Sequence, residues 1–153
     1  MTIDAIEHIT RHVVETGFDD LPQEAVEASQ KFILDSIGVG LSGSGGPWVT
    51  ELINAMGAAP AQDSARVWGQ DKVLGARAAA LCNAYQIHNA EYDCVHEQAV
   101  VHPLTVVLAA SLAGKFIAYD QTVATPYRGA NWCVLSLWAW TLPVTSASLV
   151  QAH

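Results

Sequence analysis

The stretch Gly75-Ala-Arg-Ala-Ala-Ala-Leu-Cys-Asn-Ala-Tyr-Gln-Ile-His88 decides how this chain folds. Alanine and leucine have high helix propensities, so the stretch is predicted to form one α-helix. Its apolar residues recur at the spacing of a single helix face. The residues predicted to share that face are Ala78, Leu81, Cys82 and Tyr85.

Helical periodicity recurs on both sides of this stretch. Asp20-Leu-Pro-Gln is typical of a helix start, because it combines an acidic cap, an early proline and a glutamine three residues after the cap. Strand signal is small and is limited to an extended piece at Val67-Trp68, so the expected fold class is all-α. The further predicted helices run from Ile6 to Val14, from Asp20 to the glycines at 40–46, from Trp48 to Met56, and from Leu104 to about Ala118.

The composition is that of a folded chain with a substantial apolar core. Hydrophobic residues make up 51% of the 153 residues and charged residues 14%, and the mean hydropathy is +0.23. This length predicts one domain with room for a core, and the high apolar content with few charges argues against extensive disorder. A domain this apolar either packs tightly or covers its surface with a partner.

The charge and the cysteines argue against several classes of protein. The formal net charge of −8 disfavours nucleic-acid binding, because an acidic surface repels phosphate groups. Cys82, Cys94 and Cys133 are odd in number and form no CxxC pair, which argues against a disulfide scaffold or a structural zinc site. The N-terminus has no basic region followed by an apolar run, so no signal peptide is predicted and the expected compartment is the cytoplasm.

The densest polar cluster lies in residues 88–102, in a predicted loop between two apolar helices. This segment contains three of the six histidines. A histidine beside a carboxylate can act as a general acid or base near neutral pH, so the segment is the candidate site for chemistry. Its titratable residues, other than the thiol of Cys94 and the phenol of Tyr92, are His88, Glu91, Asp93, His96, Glu97 and His102.

Three interpretations of this segment stay open at the level of residue types. The first is a polar surface loop whose side chains cap the neighbouring helices. The second is a metal site, since His88 and Glu91 have i, i+3 spacing and His96 is close, although no HExxH pattern is complete. The third is metal-free proton transfer by a pair of histidine and aspartate side chains.

Part of the sequence resembles the N-terminal region of MmgE/PrpD proteins. The resemblance covers roughly residues 6–113, so the expected organisation is a truncated helical domain of that type over 1–113 and an aberrant tail over 114–153. The segments that carry the resemblance are Leu21-Pro22 opening a helix that reaches Asp35-Ser-Ile-Gly38, the stretch 75–88, and Glu91-Tyr-Asp93 followed by His102-Pro103.

The resemblance implies an enzyme that works next to a carboxylate group. The family includes 2-methylcitrate dehydratases, cis-aconitate decarboxylases and an iminodisuccinate epimerase, in which a proton or CO2 leaves and an enolate-like charge builds up. It implies a small polycarboxylate substrate, no organic cofactor, no metal, and a homodimer of full-length chains. By the same resemblance Asp93, His102 and Glu91 line the active site, His96 is a further catalytic candidate, and His88 is expected to bind substrate.

The last quarter of the chain differs in character from the rest. Three of the five tryptophans lie beyond residue 129. Because tryptophan has the single codon TGG, a reading frame that joins the third base of one codon to the first two of the next must turn Trp138-Ala139 into glycine. Several such forced residues fit the helix with which MmgE/PrpD members continue, so a frameshift is predicted between about residues 113 and 129.

Three hypotheses for the whole chain follow. As a piece of a lyase or isomerase, the 153-residue chain is expected to be inactive and prone to aggregate. Its apolar faces are exposed, and residues 91–103 contain no Lys or Arg to bind a polyanion. The alternative is a non-enzymatic helical interaction module whose apolar tail forms a surface for a partner or associates with a membrane. The third hypothesis is a metal-dependent hydrolase, which would require stoichiometric metal after purification. Pro143 and several Ser and Thr residues argue against a membrane-spanning tail, so no membrane partner is expected.

Overall fold

A computed structural model describes residues 4–57, 64–97 and 100–120 of the chain. Most of these residues are helical, as the sequence predicts. Two short 3₁₀ segments, Phe18–Asp20 and Gly43–Gly45, flank the second helix. The α-helices of the described part are α1 (Ala5–Glu15), α2 (Gln23–Ser42), α3 (Val49–Met56), α4 (Ala76–His88) and α5 (Pro103–Asp120).

A β-hairpin in the described chain corrects the all-α prediction. Strand β1 (Ser64–Val67) pairs antiparallel with β2 (Lys72–Gly75), with Ser64 opposite Gly75. Ala65 and Val67 are buried, whereas Arg66 between them is exposed. Four residues per strand give the alternating pattern too little length to stand out from the surrounding loop. For that reason the sequence predicted only an extended piece near Val67.

Helix α4 is the centre of the fold. It packs against α2, α3, α5 and both strands of the hairpin. Its small side chains let these neighbours approach closely, and each large aliphatic side chain that they bury contributes about 1.5–3 kcal/mol. The buried core consists of Val49, Ile53, Ala65, Val67, Leu74, Ala76, Ala79, Cys82 and Ala113.

The buried face of α4 differs from the predicted face. Cys82 is buried as predicted, but Leu81 points outward with 51% of its surface exposed. Asn83 and Gln86 are buried in its place. A search for apolar periodicity shifts the face toward Leu81, because it gives no weight to amide side chains that form hydrogen bonds inside the protein.

The two buried amides tie α4 to its neighbours. The side-chain oxygen of Asn83 accepts a hydrogen bond from the Trp68 N–H (2.9 Å), and its Nδ2 donates to the Arg66 carbonyl oxygen (3.2 Å). Nε2 of Gln86 donates to the carbonyl oxygens of Trp68 (2.7 Å) and Gly40 (3.3 Å). Backbone groups of the hairpin and of α2 would be costly to bury unpaired, so these contacts fix both elements against α4.

The predicted tail, residues 114–153, lies outside the described residues from residue 121 onward. Helix α5 is described as far as Asp120, and its side chains as far as Ala113. The domain boundary at residue 113 and the frameshift therefore stay predictions. None of the described helices combines the length and the apolarity that crossing a bilayer requires.

The end of α2 approaches the end of α4 so closely that only glycine fits. A Cβ atom on Gly43 would collide with the carbonyl oxygen of Gln86 and lie 2.7 Å from Oδ1 of Asn89. Nδ2 of Asn89 donates to the Gly43 carbonyl oxygen at 2.9 Å. Asn89 directly follows the last residue of α4, so this contact anchors the C-terminal end of α4 on α2.

We expect Gly43→Ala to lower the free energy of unfolding by about 1–3 kcal/mol, because the backbone of α4 must move away from the added methyl group. Gly45→Ala is the matched control, since a Cβ atom there meets nothing within 4 Å. Its effect should stay within about 0.5 kcal/mol. Urea unfolding followed by circular dichroism measures both, and equal losses would contradict the close approach at residue 43.

Candidate active site

The candidate site lies where α4 ends and α5 begins. His88 is the last residue of α4, and His102 immediately precedes Pro103, the first residue of α5. The loop between them is pinched by an isolated bridge, in which the His96 N–H donates to the Val101 carbonyl oxygen at 2.8 Å. The two helix ends therefore place His88 and His102 side by side.

Three side chains converge on the carboxylate of Asp93. Its side chain has 0% of its surface exposed. Nδ1 of His88 lies 3.1 Å from Oδ1 and 3.3 Å from Oδ2, and Nδ1 of His102 lies 3.0 Å from Oδ2. The Thr105 hydroxyl also donates to Oδ2. A buried carboxylate is tolerated only when it is paired in this way.

These partners keep the Asp93 carboxyl group ionised. Burial raises its pKa, but hydrogen bonds from Thr105 and His88 and attraction to the charged forms of His102 and His88 bring the pKa below its ordinary value. An ionised carboxylate has no proton to donate. Each Nδ1 that faces it must therefore carry the proton, which leaves Nε2 as the nitrogen that can accept one.

The two imidazoles reach solvent, whereas the carboxylate behind them does not. The side chain of His88 is 43% exposed and that of His102 is 31% exposed. Their ring centroids lie 4.6 Å apart, with an angle of 63° between the ring planes. A small molecule can contact either ring from solvent, while Asp93 acts only through the rings.

The structure groups Asp93, His102 and His88 and leaves Glu91 at the edge. The Glu91 side chain is 80% exposed, and its Oε1 lies 3.9 Å from Nε2 of His88. Glu91 has a φ of 53°, a left-handed conformation that marks the tight turn after α4. His96 supports the loop through its backbone, and the described hydrogen bonds to Asp93 come from other side chains. Catalytic roles for Glu91 and His96 stay predictions.

Thr105 is the residue of this site that sequence reasoning missed. It lies in the first turn of α5, within a segment predicted only as a buried apolar helix. The available signal was its polarity, because Thr105 is the only polar side chain between residues 103 and 110. The structure shows that it is buried together with the carboxylate it contacts.

The same side chains have a spacing that a metal ion could bridge. His88, Asp93 and His102 each place one ligand atom within 4.8 Å of the others. Two imidazoles and a carboxylate are a donor set that several transition metals accept. The distances of 3.0–3.3 Å are also those of ordinary hydrogen bonds. The Thr105 hydroxyl also donates to Oδ2 of Asp93, which favours the hydrogen-bonded arrangement.

The sequence profile of the MmgE/PrpD N-terminal domain matches residues 7–115, a range that includes every residue of this site. The chain belongs to the MmgE/PrpD family. This result confirms the resemblance carried by the stretch 75–88 and by Asp93 and His102-Pro103. The observed architecture refines it, because the domain is mainly helical with a small two-stranded hairpin.

Curated relatives of the chain are much longer than the part that matches. The cis-aconitate decarboxylase of Aspergillus terreus is 31% identical over 103 residues, which cover 67% of this chain and 21% of the relative. The cis-aconitate decarboxylase-like protein oryM of Aspergillus oryzae is 31% identical over 101 residues, covering 66% and 21%. The chain thus spans about a fifth of the length of these relatives. No solved structure matches it.

We expect the Asp93 carboxylate to make the free energy of unfolding depend on pH in the acidic range. Its pKa is lower in the folded state than in the unfolded state, so the unfolded state binds a proton more readily. The stabilisation is fully present above the unfolded pKa of about 4 and is lost as the pH falls through the folded value. The free energy of unfolding should fall in that window, and Asp93→Asn should remove part of the fall.

Urea unfolding at several pH values between about 6 and 2.5 tests this expectation. Asp93→Asn should also cost about 1–3 kcal/mol near neutral pH, because an amide offers one acceptor where the carboxylate offers two. Asp19→Asn, at an exposed position, controls for the removal of one negative charge. An acid dependence of Asp93→Asn that equals that of the unmodified chain would refute the linkage.

Proposed function

We propose that this site exchanges a carbon-bound proton next to a carboxylate group of a small polycarboxylic acid. The observation that carries the proposal is the 3.0 Å contact between the buried Asp93 carboxylate and Nδ1 of the partly exposed His102. Membership of the MmgE/PrpD family and relatives named cis-aconitate decarboxylase support a lyase-type reaction.

His102 is the proton-transfer group in this proposal. Its Nε2 accepts the proton from the substrate carbon, or delivers one to it in the reverse sense. The imidazolium that forms is stabilised by the Asp93 carboxylate, which stays ionised throughout, as in other pairs of histidine and aspartate. Positioned acid–base catalysis of this kind contributes about 10²–10⁴-fold in rate.

His88 is proposed to bind a carboxylate of the substrate. Its ring lies 4.6 Å from that of His102, so a substrate held by one ring is within reach of the other. When protonated, His88 offers Nε2–H as a charge-assisted donor. Oε1 of Glu91 lies 3.9 Å from that nitrogen, at the edge of the site. His96, in the same loop, is kept as a further candidate for proton transfer.

Decarboxylation, dehydration and epimerisation all fit this arrangement. In decarboxylation the C–CO2 bond breaks, and His102 protonates the carbon that keeps the electron pair. In dehydration His102 removes the proton while hydroxide leaves the neighbouring carbon, and in epimerisation the proton returns from the opposite face. The carboxylate next to the carbon takes up the charge once hydrogen-bond donors stabilise it. None of these routes requires an organic cofactor or a metal.

The described part of the site lacks the positive charge that such a substrate needs. Residues 78–114 contain no Lys or Arg, and a polycarboxylate is bound most strongly by charge-assisted donors. The matched region corresponds to 21% of the relatives' length. We therefore assign the missing cations to the remainder of a full-length protein, acting as a homodimer, and propose that the 153-residue chain has no turnover.

A frameshift upstream of residue 129 is part of the same proposal. The family match ends at residue 115, which supports a loss of the native frame soon afterwards. Resequencing the gene tests it: we expect the family helix to continue in another frame beyond that point. An intact frame that encodes Trp138 and Trp140, with no family sequence downstream in any frame, would remove the idea.

The decisive experiment uses the frame-restored protein. It should turn over cis-aconitate or a related polycarboxylic acid, with deuterium from the solvent appearing on the reacting carbon. We expect His102→Gln to lower kcat by about 10²–10⁴-fold, because the proton-transfer group is removed. Asp93→Asn should have an effect in the same direction. NMR of the product and release of CO2 distinguish the three reactions.

The controls separate this proposal from its competitors. His8→Gln, at an exposed position of α1, should keep full activity. Metal analysis of the same preparation should find less than stoichiometric metal. A metal that co-purifies in a 1:1 ratio and is lost in His88→Ala would support the metal site instead. Full turnover by a folded protein that lacks both the His102 imidazole and the Asp93 carboxylate would refute the proposed function.

A further inference from the structure

Thr105 uses its hydroxyl in an unusual way for a helical threonine. In α1 the hydroxyl of Thr10 donates to the carbonyl oxygen of Ile6 one turn earlier, at 2.8 Å, which is the common local arrangement. Thr105 is the third residue of α5, so its own helix has no carbonyl group one turn earlier. Its hydroxyl instead donates across the site to Oδ2 of Asp93.

The contact matters because a carboxylate can rotate. The last side-chain torsion of aspartate has a broad energy profile, so burial alone does not fix which way the two oxygens face. Oδ2 of Asp93 accepts from both Thr105 and His102, whereas Oδ1 faces His88 at 3.1 Å. With the hydroxyl in place, Oδ2 is held toward the ring of His102.

We propose that Thr105 is a positioning residue: its hydroxyl fixes the rotation of the Asp93 carboxylate and thereby holds His102 with its proton on Nδ1 and with Nε2 free to accept one. The Thr105 side chain is buried, and its hydroxyl reaches the acid–base pair by donating to Asp93. The inference concerns the same site as the proposed function and rests on it for its catalytic meaning, but the proton arrangement itself can be measured without turnover.

The test is the protonation pattern of His102 in the 153-residue chain. Long-range ¹H–¹⁵N spectra at a pH where the ring is neutral distinguish a proton on Nδ1 from one on Nε2. We expect the unmodified chain to show His102 with the proton on Nδ1. In Thr105→Val, which keeps the shape and loses the hydroxyl, the ring should show a mixture of both forms. Thr105→Ser should restore the original pattern.

Thr10→Val is the matched control, since it removes a helical hydroxyl that donates within α1, and it should leave the His102 signals unchanged. An unchanged pattern in a folded Thr105→Val overturns the proposal. If that variant does not fold, Thr105→Ala takes its place in the same comparison. A His102 with its proton on Nε2 in the unmodified chain contradicts the arrangement directly.

Activity of the frame-restored protein separates this inference from the proposed function. Thr105→Val should lower kcat by up to about 100-fold with little change in KM, because the base is misplaced while substrate contacts stay. A shifted proton pattern in a protein without any turnover would refute the proposed function and leave the positioning role intact. If Thr105→Val keeps full kcat although the protonation pattern of His102 has shifted, the positioning by Thr105 does not contribute to catalysis.

Discussion

A carboxylate without exposed surface holds the two halves of this site together. Asp93 binds His88 at the end of α4 and both His102 and Thr105 at the start of α5. An ionised carboxylate in the interior is tolerated only while its partners are present, and leaving a buried acceptor unpaired costs about 1–3 kcal/mol. The segment that carries Asp93 is therefore bound to both helix ends, although it has little regular structure of its own.

Hydrogen bonds from buried polar side chains also connect the elements in the interior of the fold. Asn83 and Gln86 project from the buried face of α4 and bind backbone groups of the hairpin and of α2. The apolar core around them consists mainly of small and medium side chains, which allow close packing but specify relative orientation weakly. The directional hydrogen bonds of these amides supply that orientation. They therefore fix the end of α4 that carries His88 relative to α2.

The sequence predicted the helices well because their periodicity extends over several turns. It predicted the grouping of Asp93 and His102 through the resemblance to MmgE/PrpD proteins, whereas residue types alone left a surface loop and a metal site as alternatives. The hairpin was missed because each strand has only four residues. Leu81 was placed inside because periodicity counts apolar residues and ignores buried amides.

Other features of the site could not be found from one sequence at all. The contact between Thr105 and Asp93 joins positions in two different elements, and no local pattern specifies it. The convergence of His88 and His102 on a single carboxylate depends on how the loop returns to α5. Glu91, which the resemblance placed in the site, lies at its edge because the left-handed turn after α4 directs its side chain outward.

Because Gly43 lies so close to Asn89, selection for an intact site also acts on residue 43. The residue after His88 rests on a glycine that lies in a different element and touches none of the titratable groups. An intact site therefore requires Gly43 as well as the imidazoles of His88 and His102. A random-mutagenesis survey of the frame-restored protein would therefore return residue 43 among its inactivating positions, although no group that takes part in the chemistry is altered there.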